Sequence, residues 1–106
     1  MSDVNACIVM TTVSDEAQAD KIARAVLEAR LAACAQIQGI RSHYWWNGEI
    51  NKEAEQLVCF KTTADKYGAL EKVIVANHTY DTPEILQVPV TAGLEKYLGW
   101  LQKETS

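Results

Sequence analysis

His78 is the side chain in this sequence with the clearest capacity for metal chemistry. It precedes two carboxylates, Asp81 and Glu84, by a few residues. Imidazole and carboxylate together suit divalent transition ions such as Cu(II), Ni(II) and Zn(II). We therefore take His78 and Glu84 as candidate metal ligands. The alternative is that His78 ends a helix, where an imidazole complements the free carbonyl groups and the helix dipole.

The same segment, residues 78–84, could instead line a binding cleft. Tyr80 offers an aromatic ring with a hydroxyl group, and Asp81 and Glu84 offer carboxylates. With Pro83 shaping the backbone, these side chains could form a pocket against a neighbouring chain. The alternative is a fixed loop that leads into the last strand. The sequence leaves both interpretations open.

Three basic side chains give weaker signals. His43 lies beside Tyr44 in an extended run and is expected to be solvated or to lie in an interface. Lys61 and Lys66 lie near the predicted start of a helix, where they would either bind an anion or remain solvated.

The three cysteines, Cys7, Cys34 and Cys59, lie within or at the edge of predicted strands. Their number is odd and none has Cys-x-x-Cys spacing. We therefore expect buried, reduced thiols that behave as small hydrophobic side chains, rather than a disulfide framework.

No constellation typical of an enzyme is visible in the sequence. It contains no nucleophile elbow, no Ser-His-Asp ordering, no phosphate-binding glycine loop and no Cys₂His₂ spacing. We therefore predict a non-enzymatic protein. We expect that a bound metal, Cu(II) or another divalent cation, is not required for folding.

A long hairpin must position these residues. Asn47-Gly48 stands between two extended runs and predicts a two-residue type I′ turn, because both residues tolerate a positive φ angle. Gly39 could add a bulge and shift the pairing far from the turn. The turn sets a register that pairs Trp45 with Ile50, Arg41 with Ala54 and Ile37 with Val58 on one face, and Trp46 with Glu49, Tyr44 with Asn51 and Ile40 with Glu55 on the other.

The end of the hairpin carries three consecutive aromatic residues, Tyr44, Trp45 and Trp46, which we call the aromatic tip. Arms of about eleven residues at ~3.3 Å each reach roughly 36 Å, which is long for a globule with a radius of gyration near ~13 Å. The tip should therefore overhang the body. Because exposed aromatic clusters usually mark interfaces, we expect another copy of the chain to cover it. A ring of three copies is plausible.

The remaining elements complete a single domain, residues 1–106. We predict a strand over residues 6–13, a helix from an N-cap at Ser14 to Leu31, a second helix over 64–77 capped by Thr63, an edge strand over 85–90, and a C-terminal helix over 94–101. The order βαββαβ plus a helix is that of a ferredoxin-like α+β fold. Right-handed crossovers place strands one and three at the centre of the sheet.

Composition excludes several classes of partner. The 106 residues carry a net charge of −4 with a pI near 5.1, which disfavours nucleic acid and anionic membranes. No apolar run is long enough to span a membrane. The first residues lack a basic flank and an apolar signal core, so a cytoplasmic location is expected.

Five separated segments stand in order along the chain: residues 31–34 (LAAC), 42–50 (SHYWWNGEI), 61–63 (KTT), 78–85 (HTYDTPEI) and 97–100 (YLGW). Together they resemble the CutA divalent-cation tolerance family. The resemblance runs from about Cys7 to Leu101. It implies a homotrimer in which each hairpin packs on the next subunit, and a cytoplasmic protein linked to tolerance of copper and other divalent cations.

The resemblance also implies candidate ligands. Copper binding in the family has been associated with a cysteine in strand one and with a His-His pair before the Pro-Tyr loop. Here Thr11 and Asn77 stand at two of these positions, and Thr79 replaces the usual proline. His78 is retained with Glu84 nearby, which leaves a weaker His/carboxylate site. The trimer of the family resembles that of the PII signalling proteins, so an alternative function is a regulatory module that binds a small ligand or a partner protein between subunits.

Overall fold

The computed structural model describes residues 3–106 and contains one sheet and three α-helices. The first two residues of the N-terminal stretch considered above lie outside the described part. The elements in chain order are β1 (Ala6–Val13), α1 (Glu16–Glu28), β2 (Cys34–Trp46), β3 (Glu49–Thr63), a 3₁₀ turn (Ala64–Lys66), α2 (Tyr67–Asn77), β4 (Ile85–Pro89) and α3 (Glu95–Glu104). The strands lie in the order β2-β3-β1-β4, all antiparallel. This confirms the predicted α+β architecture, with strands one and three at the centre.

The hairpin has the predicted register throughout. Asn47 and Gly48 have φ angles of 52° and 77°, as a type I′ turn requires. All six predicted pairs form, and the ladder passes Gly39, which faces Gln56, without a bulge. Strand β1 supports only residues 56–63 of β3, so residues 49–55 pair with β2 alone. The described chain is accordingly elongated, with extents of 47 × 25 × 21 Å.

One face of the sheet packs on α1 and α2. Strand residues two apart point to the same face, and Val58 and Phe60 of β3 join Val9 of β1 in the core. Helices α1 and α2 contribute Ile22, Val26, Leu70 and Ile74, all fully buried. The odd-numbered residues of β3 therefore point to the opposite face, where α3 covers the end near Ala6.

The helix ends differ from the sequence prediction by a few residues. Asp15, rather than Ser14, caps α1, and its carboxylate accepts the N–H of Gln18 at 2.8 Å. Helix α1 ends at Glu28 instead of Leu31, because Arg30 adopts a left-handed conformation with φ of 59°. The N–H of Leu31 then donates to the carbonyl of Val26, and that of Arg30 donates to Leu27, which is a Schellman ending.

Two further boundaries and the cysteine burial also differ. Thr63 precedes a 3₁₀ turn and makes no side-chain capping bond, so α2 begins only at Tyr67. Strand β4 ends at Pro89 instead of residue 90. Only Cys7 is buried, whereas Cys34 and Cys59 are half-buried, and all three are free thiols. No helix within residues 3–106 is both long and apolar enough to cross a membrane.

Candidate ligand cleft

A cleft of about 780 Å³ opens between the overhanging part of the hairpin and the α2–β4 loop. The alternation of β3 explains its position, because Asn51, Glu53 and Glu55 point away from the face that packs on α1 and α2. The loop closes the other side. The charged lining groups are Arg41, His43, Glu53, Glu55, Asp81 and Glu84, and the aromatic ones are Tyr44, Trp46 and Tyr80.

Tyr80 and Glu55 join the two walls of the cleft. The Tyr80 hydroxyl donates to Oε2 of Glu55 at 2.7 Å. Glu55 is only 7% exposed, so this bond satisfies a carboxylate that is nearly buried. Burial raises the pKa of Tyr80, and the hydrogen bond to Glu55 adds to the rise because it favours the protonated phenol. The phenol therefore remains a donor at neutral pH.

A second tyrosine lies on the hairpin side. The pKa of Tyr44 is also raised, first by loss of solvent and then by the nearby carboxylate of Glu53. The negative charges of Glu53 and Glu55 both act on Tyr80. The cleft thus combines phenol hydroxyls with an excess of carboxylates, an arrangement that attracts cationic ligands.

His78 fixes the shape of the loop. Its Nδ1 accepts the backbone N–H of Tyr80 at 3.0 Å, and its Nε2 lies 2.9 Å from the carbonyl oxygen of Thr12. Because Nδ1 is an acceptor, Nε2 must carry the proton and donate to Thr12, which specifies a neutral imidazole. The ring also packs on that of Tyr80, with centroids 4.8 Å apart. Both nitrogens are therefore engaged in holding the loop on β1.

The predicted metal ligands have separate surroundings. Glu84 lines the cleft, whereas His78 follows the last residue of α2 and bonds to β1. No group of three or more His, Cys, Asp or Glu side chains within residues 3–106 is arranged to hold a metal ion. Thr11 is fully buried, and its hydroxyl has no hydrogen-bond partner in the described part of the chain. A metal role for His78 and Glu84 stays a prediction.

The remaining predicted site residues divide between the two faces of the hairpin. Tyr80 and Asp81 line the cleft, together with Tyr44 and Trp46 from the aromatic tip. Trp45 points to the other face and is 71% exposed, and Trp46 is 58% exposed. Their role in an interface stays a prediction.

Sequence reasoning did not identify Glu53 and Glu55 as site residues. The hairpin register contained the signal, since it already placed Glu55 on the same face as Tyr44. What it lacked was the position of the α2–β4 loop. Only the fold places Tyr80 within hydrogen-bond distance of Glu55.

Comparison with known proteins identifies the family. The family model of the CutA1 divalent ion tolerance protein matches residues 7–104. The chain belongs to this family. The CutA1 family is thus confirmed, as the segments in the sequence predicted.

Individual relatives agree with this assignment. Protein CutA 1, chloroplastic, of rice (Oryza sativa) is 38% identical over 103 residues, which are 96% of this chain and 58% of the relative. The chain therefore spans little more than half of that relative's length. The divalent-cation tolerance protein CutA of Escherichia coli is 42% identical over 101 residues, 94% of this chain and 90% of the relative. The solved structure of CutA from Synechococcus elongatus superposes with a TM-score of 0.94 at 38% identity, covering 100% of this chain and 95% of that one.

Proposed function

We propose that this CutA-family chain is a non-enzymatic, cytoplasmic homotrimer that contributes to tolerance of copper and other divalent cations. The cleft between the hairpin and the α2–β4 loop is its ligand site. The observation that carries this proposal is the lining of the cleft, where four carboxylates outnumber Arg41 and His43. Such a surplus of negative charge attracts cations.

Copper is the ion that we propose for this site. Cu(II) binds imidazole nitrogen together with carboxylate oxygen, which His78 and Glu84 supply. His78 must give up one of its two hydrogen bonds, to Thr12 or from Tyr80, before it can coordinate an ion. We therefore expect weak binding that is coupled to movement of the loop.

The exposed apolar surface of the protomer supports the proposed trimer. Residues 49–55 pair only with β2, and Trp45 and Ile50 near the turn are 71% and 64% exposed. The edge strand β4 also exposes Leu86 and Val88. Packing the aromatic tip, Tyr44, Trp45 and Trp46, on a neighbouring subunit would bury this apolar area. For the cytoplasmic location, the support is the three free thiols, which suit a reducing compartment.

Calorimetric titration of Cu(II) tests the metal site. Wild type should bind weakly, and His78→Ala and Glu84→Gln should each weaken binding further. His43→Ala is the matched control, because His43 lines the cleft but is not a proposed ligand. Identical curves for wild type, His78→Ala and Glu84→Gln would remove both residues from the site. Loss of binding in His43→Ala alone would move the site to the hairpin.

A second candidate function is a regulatory module that binds a small metabolite or a partner protein between subunits. The cleft volume of about 780 Å³ favours it, since small-molecule pockets have volumes of roughly 300–1,000 Å³. Tyr80 and Asp81 would face the ligand. A thermal-shift screen against metals, organic acids, nucleotides and organic cations separates the two functions, because a ligand that binds only the folded state raises its stability. Stabilisation by one metabolite but by no metal would favour the regulatory module.

A further inference from the structure

The two walls of the cleft each carry a pair of carboxylates. Glu53 and Glu55 belong to β3 on the hairpin side, and Asp81 and Glu84 belong to the α2–β4 loop on the other side. Glu53, Asp81 and Glu84 are exposed, whereas Glu55 is nearly buried. Negative charge therefore faces the cleft from two sides, which suits a ligand with two separate positive charges.

The two basic residues of the cleft offset this charge only in part. Arg41 and His43 border the cleft, but the alternation of β2 directs them to the face opposite Tyr44. Tyr44 and Glu53 share a face, since Ser42, two residues before Tyr44, pairs with Glu53. The carboxylates of the hairpin wall and the positive charges of Arg41 and His43 therefore diverge.

Glu55 is the cleft carboxylate that most requires a positive partner. It is only 7% exposed, and no ion pair within residues 3–106 involves it. A carboxylate has about four lone-pair sites, and the Tyr80 hydroxyl occupies one of them. A nearly buried charge is costly unless it is paired. Glu55 thus has both the acceptor capacity and the energetic reason to receive a cationic hydrogen-bond donor.

Aromatic rings line the same cleft, with Tyr44 and Trp46 on the hairpin and Tyr80 on the loop. The faces of such rings attract ammonium groups and offer apolar surface to methylene groups. The volume of about 780 Å³ also suits an organic ligand. Rings and carboxylates together therefore favour an organic cation, whose carbon chain and charged ends both find partners.

The cleft lies beyond the apolar face of β4. Leu86 pairs with Met10, and the ladder between β1 and β4 ends at Thr11, whereas the cleft begins at Thr12. The loop wall, including Asp81, is exposed. A ligand can therefore enter from the loop side when a second subunit covers β4.

We propose that the cleft binds a linear aliphatic diamine, with one ammonium group on the carboxylates of β3, the other on those of the α2–β4 loop, and the methylene chain on the aromatic rings. Both alkylammonium groups are charged at neutral pH. The inference rests on the proposed role of the cleft as a ligand site, and it names the ligand class of the regulatory module. His78 can keep both of its hydrogen bonds, unlike in the copper site.

Calorimetric titration of the full chain with 1,4-diaminobutane in metal-free buffer tests this proposal. Wild type should bind one diamine per protomer. 1-Aminobutane should bind about 10-fold or more weakly, because it lacks one charge-assisted contact, and 1,4-butanediol, which has no charge, should not bind. These comparisons use the unaltered protein, so the folding of a variant does not enter. Equal affinity for 1-aminobutane and the diamine, or no binding of the diamine, would overturn the proposal.

Substitutions on the two walls locate the binding. Glu53→Gln and Asp81→Asn remove exposed carboxylates from opposite walls, and each should weaken diamine binding by about 10-fold or more. Asp20→Asn is the matched control, because it makes the same change in net charge at an exposed position of α1 and should bind as wild type does. Equal weakening in all three variants would mean that net charge alone governs binding, and would overturn the proposal.

A separate titration with Cu(II) distinguishes this inference from the proposed metal function. Binding of Cu(II) without binding of the diamine would overturn the inference and leave the metal function intact. Binding of the diamine without binding of Cu(II) would support the inference and contradict the copper site.

Discussion

The body of the protein and the overhanging end of its hairpin are parts of the same sheet, yet they are stabilised in different ways. In the body, β3 lies between β1 and β2 and is covered by α1 and α2, so that Phe60 and Val58 are fully buried. Beyond residue 56 toward the turn, the same strand has one neighbour, and Trp45, Trp46 and Ile50 are largely exposed.

The body is stabilised by contacts within one chain, whereas the overhanging end of the hairpin requires contacts with other chains. An isolated two-stranded ribbon is marginally stable in water, so its order must come from further contacts. The cleft lies at the boundary, where the bond between Tyr80 and Glu55 ties the ribbon to the body. The stability of the overhanging hairpin should therefore depend on assembly with other subunits, whereas the stability of the body should depend mainly on its own core.

The largest effect should come from Phe60→Ala in the body. Removing a fully buried phenylalanine costs about 3–5 kcal/mol, because the core loses apolar contacts and retains part of the cavity. Chemical denaturation at fixed protomer concentration measures the loss. A decrease below about 1 kcal/mol would mean that the body is not held by its own core.

A smaller effect, confined to assembly, should follow Trp46→Ala in the aromatic tip. Truncating a buried interface aromatic typically costs ~2 kcal/mol or more in association free energy. Sedimentation equilibrium should show the variant dissociating at protomer concentrations where wild type remains trimeric, while circular dichroism stays unchanged.

The control for Trp46→Ala is Gly48→Ala, which strains the turn without removing an aromatic ring. Gly48 has a φ of +77° and no atom within 4 Å of an added Cβ, so the cost is confined to the backbone, ~1–2 kcal/mol. It should lower hairpin stability and weaken association by no more than this strain, which is less than the loss expected for Trp46→Ala. A wild-type protein that is monomeric at micromolar concentration would contradict the contrast between the two regions.

Tyr80→Phe tests the boundary between the two regions. Without the phenol, the nearly buried carboxylate of Glu55 loses its donor, at a cost of about 1–3 kcal/mol. Tyr67→Phe is the matched control, because its hydroxyl donates to Glu71 at 3.0 Å on an exposed surface. It should cost less than about 0.5 kcal/mol.

Alkaline pH sharpens the test on Tyr80. Its pKa in the folded protein is raised above the ordinary value of 10.0, so folding favours the protonated phenol. The stabilisation is complete below pH 10 and is lost as pH rises through the raised folded pKa. The stability difference between wild type and Tyr80→Phe should therefore shrink above pH 10. A constant difference would show that the phenol does not titrate with folding.

Most of the fold could be predicted from the sequence because it is encoded locally. Asn47-Gly48 fixes the turn, and the turn fixes every pair of the ladder back to Cys34, the first residue of β2. The ends of α1 were harder to predict, because both Ser14 and Asp15 can cap a helix. The left-handed Arg30 could not be foreseen, since the sequence offers no glycine or asparagine there.

Less of the site could be predicted, because it depends on contacts between distant segments. Tyr80 and Asp81 were identified as cleft residues, but their partner Glu55 is 25 residues away from Tyr80 in sequence. The hydrogen bonds that occupy both nitrogens of His78 likewise depend on the carbonyl of Thr12 in β1.

Strand β3 pairs with one strand near the turn and with two strands farther from it. This difference sets how far the hairpin can open. Between Glu49 and Glu55 the strand pairs with β2 alone, so fraying can start at the turn and travel inward. At Gln56 the strand meets Val13 of β1 and gains a second ladder. Further opening must then break two ladders at once. The second ladder thus limits how far the hairpin can open. Amide hydrogens on either side of Gln56 should therefore exchange with solvent at clearly different rates.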